Sequence, residues 1–233
     1  MAEGVYEIND KLSIPVEEAY KVLRANVQFC GFDHPIKTLS ITSCNPSEGK
    51  TTTSINLAIS MAKAGKKVLL IDGDLRKPMV LKRLGGKNTK GLSNLISGTA
   101  SFEEVLNHTS IPNFDYIACG PKPPNPSELI SSARFSEFLK TVREAYDMVI
   151  VDTPPLGSVI DCAVISSQTD GTLMVIKANS VDYRQAQRVK QQLEKANAKI
   201  LGVVLNKVDK KDYKTYYRYN YHYGSDDKKK KRT

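Results

Sequence analysis

The chain has 233 residues, 40% of them hydrophobic, which is enough for one α/β domain with short extensions. Its formal net charge is +9, but residues 210–233 hold nine Lys and Arg against three Asp, a net +6 that leaves only +3 for residues 1–209. A strongly basic folded body is thereby excluded, and we expect no nucleic-acid partner. No apolar run approaches the roughly 20 residues of a membrane span, and the first ten residues lack a signal-peptide pattern, so we expect a cytoplasmic protein.

In chain order, residues 17–29 have the spacing of an amphipathic helix, and apolar runs then alternate with helical patterns. This alternation is typical of a mostly parallel sheet with helices on both faces. The expected strands are Lys37–Thr42, Lys67–Asp72, Phe114–Cys119, Met148–Asp152, Thr172–Lys177 and Ile200–Asn206. Ligands of such sheets bind beyond the carboxyl ends of the strands, so catalytic residues are expected there.

The pattern divides the chain into three segments. Residues 1–35 form an N-terminal extension with the first helix, residues 36–209 form the α/β domain, and residues 210–233 form a tail. Aliphatic residues vanish from the tail, so we expect it to be flexible. It contains six of the eleven tyrosines, namely Tyr213, Tyr216, Tyr217, Tyr219, Tyr221 and Tyr223. They alternate with basic residues, which is typical of a mobile phosphorylation substrate or, alternatively, of an RNA-binding segment.

A nucleotide site is indicated by residues 44–52, CNPSEGKTT, which have the spacing of a P-loop with Cys44 in place of the first glycine. They lie between a strand and a helix, where backbone N–H groups converge on phosphate. Lys50 is expected to reach the β and γ oxygens, and the Thr51 hydroxyl to ligate Mg²⁺. The predicted ATP-binding residues of this loop are Ser47, Glu48, Gly49, Lys50, Thr51 and Thr52.

Acidic residues follow two further strands. Asp72 and Asp74 lie at the end of VLLIDGD, and Asp152 ends the strand DMVIVD in the manner of a Walker B motif. Taken alone, the first two acids could simply cap a turn. Three strand-end acids together with a P-loop are more specific, and they predict a Mg²⁺-dependent phosphoryl-transfer site. Arg76 either joins that site or has a structural role.

The segments NPSEGKTTT, LLIDGDLRKP and VIVDTPP resemble the bacterial tyrosine kinases of capsule and exopolysaccharide synthesis and, more distantly, the MinD/ParA ATPases. The resemblance extends from about Val16 to Asn206. It implies ATP and Mg²⁺ as cofactors, a P-loop NTPase-type fold and transfer of phosphate to tyrosine. The lysine that MinD-like proteins carry at the start of the loop is absent, which favours the kinase.

By this resemblance Asp72 assists catalysis by accepting the tyrosine proton, and Asp74 and Asp152 organise Mg²⁺ with Thr51. Lys50 stabilises the charge of the transferring phosphoryl group. Asn206 lies in a segment, LNKVD, that resembles the base-reading motif of GTPases. Within the kinase family its position implies an adenine contact, although a strand that ends in polar turn residues would look the same.

Glu18, Lys21 and Arg24 share one face of the first helix and resemble the family's ExxRxxR oligomerisation motif, with Lys21 in place of its first arginine. A solvated charged face is the alternative. The resemblance implies a homo-oligomeric ring, a transmembrane adaptor that recruits it to the inner face of the plasma membrane, a cognate tyrosine phosphatase and protein substrates in polysaccharide synthesis.

We therefore predict a protein-tyrosine kinase that autophosphorylates its tyrosine-rich tail in trans and regulates polysaccharide synthesis. The first alternative is a MinD/ParA-type ATPase that positions partners on a membrane or on DNA. A nucleotide-dependent scaffold with little catalysis is the second. Incubation with labelled ATP distinguishes the three, since the kinase yields phosphotyrosine, the ATPase yields free phosphate and the scaffold yields neither.

Overall fold

A computed structural model of the chain describes residues 5–6, 11–32, 34–86, 89–157 and 159–209. Its strands are β1 (Val5–Tyr6), β2 (Thr38–Ser43), β3 (Val68–Asp72), β4 (Leu106–Thr109), β5 (Phe114–Ile117), β6 (Met148–Asp152), β7 (Gly171–Lys177) and β8 (Ile200–Asn206). They form one sheet in the order β1-β4-β5-β3-β6-β2-β7-β8. Neighbours are parallel except for β4 and β5, which pair antiparallel. The predicted mostly parallel sheet is therefore confirmed.

Helices connect most of these strands. They are α1 (Ile14–Cys30), α2 (Lys50–Lys63), α3 (Val80–Leu84), α4 (Leu92–Ser97), α5 (Phe102–Val105), α6 (Pro126–Ile130), α7 (Ala133–Ala145), α8 (Asp161–Ser166) and α9 (Tyr183–Lys195). Side-chain oxygens of Ser132 and Asp182 accept backbone hydrogen bonds and cap α7 and α9. None of the helices in the described ranges is long and apolar enough to cross a membrane.

The core lies on both faces of the sheet. On one face α1, α2 and α3 cover the strands, as the burial of Val27, Ile55 and Val80 shows. Helices α4 to α9 cover the opposite face, with Phe135 and Leu193 among the buried residues. All residues of β2, β3 and β6 are buried, because a central strand of a parallel sheet is covered from both sides. The predicted two-sided helical cover is confirmed.

Helix α1 packs directly on α2, the helix that follows the P-loop. Arg24 Nη1 donates a 2.6 Å hydrogen bond to the backbone oxygen of Ser60 and lies 3.3 Å from its hydroxyl. Lys21 instead pairs with Glu18 at 2.8 Å and with Glu17 at 3.4 Å, both on its own helix. Of the three predicted oligomerisation residues, Arg24 thus binds within its own chain, while Glu18 and Lys21 are exposed.

The order of the strands assembles the site. Strands β3, β6 and β2 are adjacent, and they are parallel, so their carboxyl ends meet at one edge of the sheet. The P-loop follows β2, Asp72 ends β3 and Asp152 ends β6. The tail predicted for residues 210–233, with its tyrosine cluster, lies outside the described residues, and the segment boundaries at residues 35 and 209 stay predictions.

Candidate active site

The P-loop joins β2 to α2. Lys50 begins the helix, and Thr51 and Thr52 follow in its first turn. Gly49, directly before the helix, has a φ of +100°, a region that glycine enters without steric cost. A Cβ atom at this position would lie 2.0 Å from Nδ2 of Asn206. Both the backbone conformation and this close approach therefore require glycine at position 49.

Residues at the end of β8 hold the loop in place. Asn206 donates from Nδ2 to the backbone oxygen of Glu48 at 2.9 Å, and Lys207 donates from Nζ to the backbone oxygen of Ser47 at 2.9 Å. The buried Glu48 side chain accepts a 2.9 Å hydrogen bond from the backbone N–H of Asn45. The structure thus brings Asn206 and Lys207 to the backbone of the P-loop, while the adenine contact predicted for Asn206 stays a prediction.

A second contact to the loop was not predicted from the sequence. Gln185 of α9 donates from Nε2 to Oδ1 of Asn45 at 2.7 Å, and Nδ2 of Asn45 lies 3.4 Å from Oε1 of Gln185. The two amides therefore form a reciprocal pair across 140 residues of sequence. A polar residue on an amphipathic helix carries no sequence signal of such a partner, so only the fold reveals it.

Lys50 lies among the acids. Its Nζ atom is 3.1 Å from Oδ2 of Asp74 and 3.8 Å from Oδ2 of Asp152, and its side chain is 11% exposed. Burial lowers the pKa of Lys50, but attraction to Asp152, Asp74 and Asp72 outweighs this and leaves the pKa raised. The ammonium group therefore stays charged and can meet a phosphate.

Asp152, at the end of β6, is fully buried and is oriented by two hydroxyl groups. Thr51 Oγ1 donates to Oδ2 at 2.6 Å, and Ser54 Oγ donates to Oδ1 at 3.1 Å. Burial raises the pKa of this carboxyl, and Lys50, Thr51 and Ser54 oppose that rise. The structure therefore brings two of the predicted Mg²⁺ ligands, Thr51 and Asp152, into direct contact, and it adds Ser54 to the site.

Asp72 is also fully buried, and its oxygens face backbone N–H groups. Oδ2 accepts hydrogen bonds from Met79 and Val80 at 3.1 and 3.0 Å, and Oδ1 accepts one from Asp74 at 3.3 Å. Burial, followed by the charge of Asp152, raises the pKa of Asp72 to about 7. A carboxyl group with such a pKa can exchange a proton near neutral pH.

The loop after β3 is shaped by Asp74 and Arg76. Oδ1 of Asp74 accepts backbone hydrogen bonds from Arg76 at 3.3 Å and from Lys77 at 2.9 Å, while its other oxygen meets Lys50. Arg76 turns away from the acids and toward the buried Asp161 of α8. Its side chain therefore holds the loop rather than entering the group of acids.

This contact of Arg76 is a two-point ion pair. Nε lies 2.7 Å from Oδ2 of Asp161, and Nη2 lies 3.2 Å from Oδ1 and 3.0 Å from the hydroxyl of Ser127. Ser127 in turn donates to Oδ1 of Asp161 at 2.6 Å. Because a planar guanidinium matches a carboxylate at two points, this pair fixes the loop to α6 and α8. Neither Asp161 nor Ser127 was predicted from the sequence.

The ammonium group of Lys50 contacts Asp74 and Asp152 and is also attracted by Asp72, which gives these four groups a formal charge of −2 when all are ionised. Hard oxygen ligands of this kind suit Mg²⁺. In the described part of the chain, no group of three or more His, Cys, Asp or Glu side chains forms a ready metal cage. Magnesium in nucleotide sites keeps waters and phosphate ligands, so Thr51, Asp74 and Asp152 fit this ion without forming a cage.

A P-loop before α2, with strand-end acids on β3 and β6, defines a P-loop nucleotide-binding α/β protein. Comparison with known proteins agrees, since the AAA domain family matches residues 36–206. The chain is 38% identical to tyrosine-protein kinase CpsD of Streptococcus agalactiae, over 92% of this chain and 93% of that protein. The CpsD protein of Streptococcus pneumoniae serotype 4 is 43% identical over 83% and 85%. The chain belongs to this family of bacterial tyrosine-protein kinases.

Solved structures give the same result. The chimerical protein CapA2B2 has a TM-score of 0.82 and 34% identity, covering 88% of this chain and 94% of that one. MinD of Pyrococcus horikoshii, solved with Mg-ADP, has a TM-score of 0.62 and 25% identity, covering 72% and 69%. The kinase relatives are thus closer in both sequence and structure than MinD, which favours the kinase over the ATPase alternative.

Proposed function

We propose that the chain transfers the γ-phosphoryl group of ATP to tyrosine hydroxyls of proteins, including those of its own residues 213–223. The observation that carries this proposal is the convergence of Lys50 with Asp72, Asp74 and Asp152 beside the P-loop. In this reaction class, positioning and charge stabilisation supply most of the catalysis, and these residues supply both.

Lys50 meets the β and γ oxygens of ATP, and the backbone N–H groups at the start of α2 hold the phosphates. Thr51, Asp74 and Asp152 hold Mg²⁺, which neutralises phosphate charge when it is bound with the nucleotide. The hydrogen bond between Thr51 and Asp152 already keeps two of these ligands together. Asn206, which lies beside Gly49 and holds the loop, is the proposed contact to the adenine.

Asp72 is the proposed general base. A tyrosine hydroxyl has a pKa of about 10 and is protonated at neutral pH, so transfer needs a proton acceptor. The phenol oxygen forms a bond to the γ-phosphorus, and the bond from that phosphorus to the bridging oxygen breaks. ADP leaves with the electron pair, and the phenol proton passes to Asp72. A pKa of about 7 suits a group that must accept a proton at neutral pH.

The assembly is proposed to be a homo-oligomeric ring in the cytoplasm, in which exposed Glu18 and Lys21 of α1 meet a neighbouring chain. Arg24 supports α1 from within the chain. A transmembrane adaptor recruits the ring to the inner face of the plasma membrane, and a cognate tyrosine phosphatase reverses the modification. The relatives named tyrosine-protein kinase CpsD, together with the resemblance to kinases of capsule and exopolysaccharide synthesis, support a role in polysaccharide synthesis.

Incubation of the purified chain with ATP labelled on the γ-phosphate tests this function. We expect phosphotyrosine to appear and Lys50→Met to abolish it. If the label appeared only as free phosphate, the chain would be an ATPase of the MinD type. If ATP bound without any turnover, the scaffold alternative would replace the kinase.

A further inference from the structure

A cavity of about 400 Å³ lies between the segment that follows β3 and the carboxyl end of β5. Pro78, Leu81 and Lys82 line one wall, and Ala118 and Cys119 line the other. An apolar cavity of about 150 Å³ is enough to bind benzene, so this volume admits a phenol ring together with part of its backbone. None of the nucleotide-site residues described above lines the cavity.

The cavity and Asp72 lie on the same face of the sheet. Ile71 of β3 is paired with Ile117 of β5, so Asp72 and Ala118 are the next neighbours across these two strands. Side chains alternate along a strand, and Leu70 and Ala118 both belong to the core beneath α2 and α3. Asp72 therefore points to the face that carries the cavity and the P-loop helix.

One segment both lines the cavity and covers Asp72. Pro78 is part of the cavity wall, and the next two residues, Met79 and Val80, donate their backbone N–H groups to Oδ2 of Asp72. On the other wall lies Cys119, the second residue after β5. The N–H groups of Met79 and Val80 therefore occupy the positions from which a hydroxyl group could donate a hydrogen bond to Oδ2 of Asp72.

We propose that this cavity receives the side chain of the acceptor tyrosine, and that the phenol O–H replaces the N–H groups of Met79 and Val80 on Asp72. The proposal rests on the kinase function given above and names the acceptor subsite of that same site. A phenol suits it because the ring meets the apolar walls while the hydroxyl is a hydrogen-bond donor like the N–H groups it displaces. Entry of the substrate then requires a shift of the segment 78–80, which uncovers the base.

The test compares three tryptophan variants of the full chain. Leu81→Trp fills the cavity, and Lys82→Trp narrows it from an exposed position that does not endanger folding. Arg83→Trp is the matched control, because it removes the same charge from the same short helix at an exposed residue that does not line the cavity. The probe is a synthetic peptide of residues 210–224, and KM and kcat for it are measured at saturating ATP·Mg.

For Leu81→Trp and Lys82→Trp we expect the peptide KM to rise about tenfold or more. In both variants the dissociation constant of ATP·Mg should stay within about twofold of the wild-type value. Arg83→Trp should match the wild type in the peptide KM and in the dissociation constant of ATP·Mg. The chain contains no tryptophan, so emission of the introduced residue also reports peptide binding directly.

Wild-type phosphorylation of the peptide combined with an unchanged KM in Leu81→Trp and Lys82→Trp would overturn the acceptor cavity and leave the kinase function intact. An equal rise of KM in Arg83→Trp would also overturn it. If the wild-type chain hydrolysed ATP and left the peptide unmodified, the kinase function itself would fail. The two failures are therefore distinguishable in one set of measurements.

Discussion

The Thr51 hydroxyl donates a 2.6 Å hydrogen bond to Oδ2 of Asp152, 101 residues further along the chain. This contact joins the first turn of the P-loop helix to the end of β6. Ser54, one helical turn later, donates to the other oxygen of the same carboxylate at 3.1 Å. The two hydroxyls thus give Asp152 similar support, but only Thr51 is proposed as a Mg²⁺ ligand.

Because of this difference, we expect Thr51→Val and Ser54→Ala to have similar effects on stability but different effects on ATP binding. Each variant removes one hydrogen bond from a buried carboxylate, so each should lower the free energy of unfolding by about 1–3 kcal/mol. Thr51→Val should in addition weaken Mg²⁺-dependent ATP binding by about tenfold or more, whereas Ser54→Ala should bind nearly as the wild type does. Urea unfolding and calorimetry with and without Mg²⁺ check this. Equal ATP affinities in the two variants would contradict the assignment of Thr51.

Asp72→Asn tests the general base through pH. In the wild type, kcat/KM for a tyrosine peptide should rise with pH and level off above the pKa of about 7. The variant should bind ATP·Mg normally and transfer phosphate about 10²- to 10⁴-fold more slowly, without this pH dependence. A variant that retained the wild-type rate would show that Asp72 is not the base.

The raised pKa of Asp72 also leads to a prediction for the stability of the chain. The pKa of Asp72 is higher in the folded chain than its ordinary value of 3.8, so the folded state binds more protons between that pH and about 7. Asp72 therefore lowers stability as the pH rises through this window. The free energy of unfolding of Asp72→Asn should depend less steeply on pH across the same range, as measured by urea unfolding at several pH values. An identical slope in both chains would show that the pKa of Asp72 is not raised.

Arg76 should matter through its two-point contact with Asp161. Loss of one partner of a buried ion pair costs about 3–5 kcal/mol, but the Arg76 side chain is 40% exposed, so we expect about 1–2 kcal/mol for Arg76→Ala. Arg76→Lys should recover only part of this, because a lysine lacks the planar fork.

A double-mutant cycle of Arg76→Ala with Asp161→Asn, followed by urea unfolding, measures the coupling between these two residues. We expect Asp161→Asn to cost much less in the Arg76→Ala background than in the wild type. Strictly additive effects would show that the ion pair does not hold the loop.

Substitutions on α1 are expected to affect either assembly or stability, depending on the residue. Glu18→Ala combined with Lys21→Ala should reduce the assembly mass in light scattering, because these exposed side chains are available to a neighbouring chain. Arg24→Ala should instead lower the free energy of unfolding, by about 1–2 kcal/mol, since Arg24 donates to Ser60 of its own chain. An unchanged mass for the double variant at matched concentration would remove this helix face from the interface.

The sequence predicted six strands to within two residues, since long apolar runs between helical patterns mark buried parallel strands. It missed β1 and β4, because strands of two and four residues such as LNHT carry no apolar run. It also predicted the P-loop and the three acids, whose spacing along the chain is diagnostic. The partners of Asp72 and Arg76 were not predictable, because they depend on how separate segments pack.

The contact of Asn206 with the P-loop could not be predicted from its position in the sequence. Its position at the end of a strand was visible in the sequence, but a polar turn residue looks the same there. Only the packing of β8 beside the P-loop brings its amide to Glu48. The contacts of Gln185 and Ser127 could not be predicted for the same reason, since a polar residue on a helix surface carries no sequence signal of its distant partner.

The most direct test of the central claim is mass spectrometry of residues 213–223 after two full-length chains are mixed with ATP·Mg. One chain is the wild type, and the other is the Lys50→Met variant labelled with ¹⁵N, so peptides of the two chains differ in mass. We expect phosphotyrosine on both chains in the mixture and none on the variant incubated alone. Consumption of ATP with no phosphotyrosine on either chain would contradict the proposed kinase function.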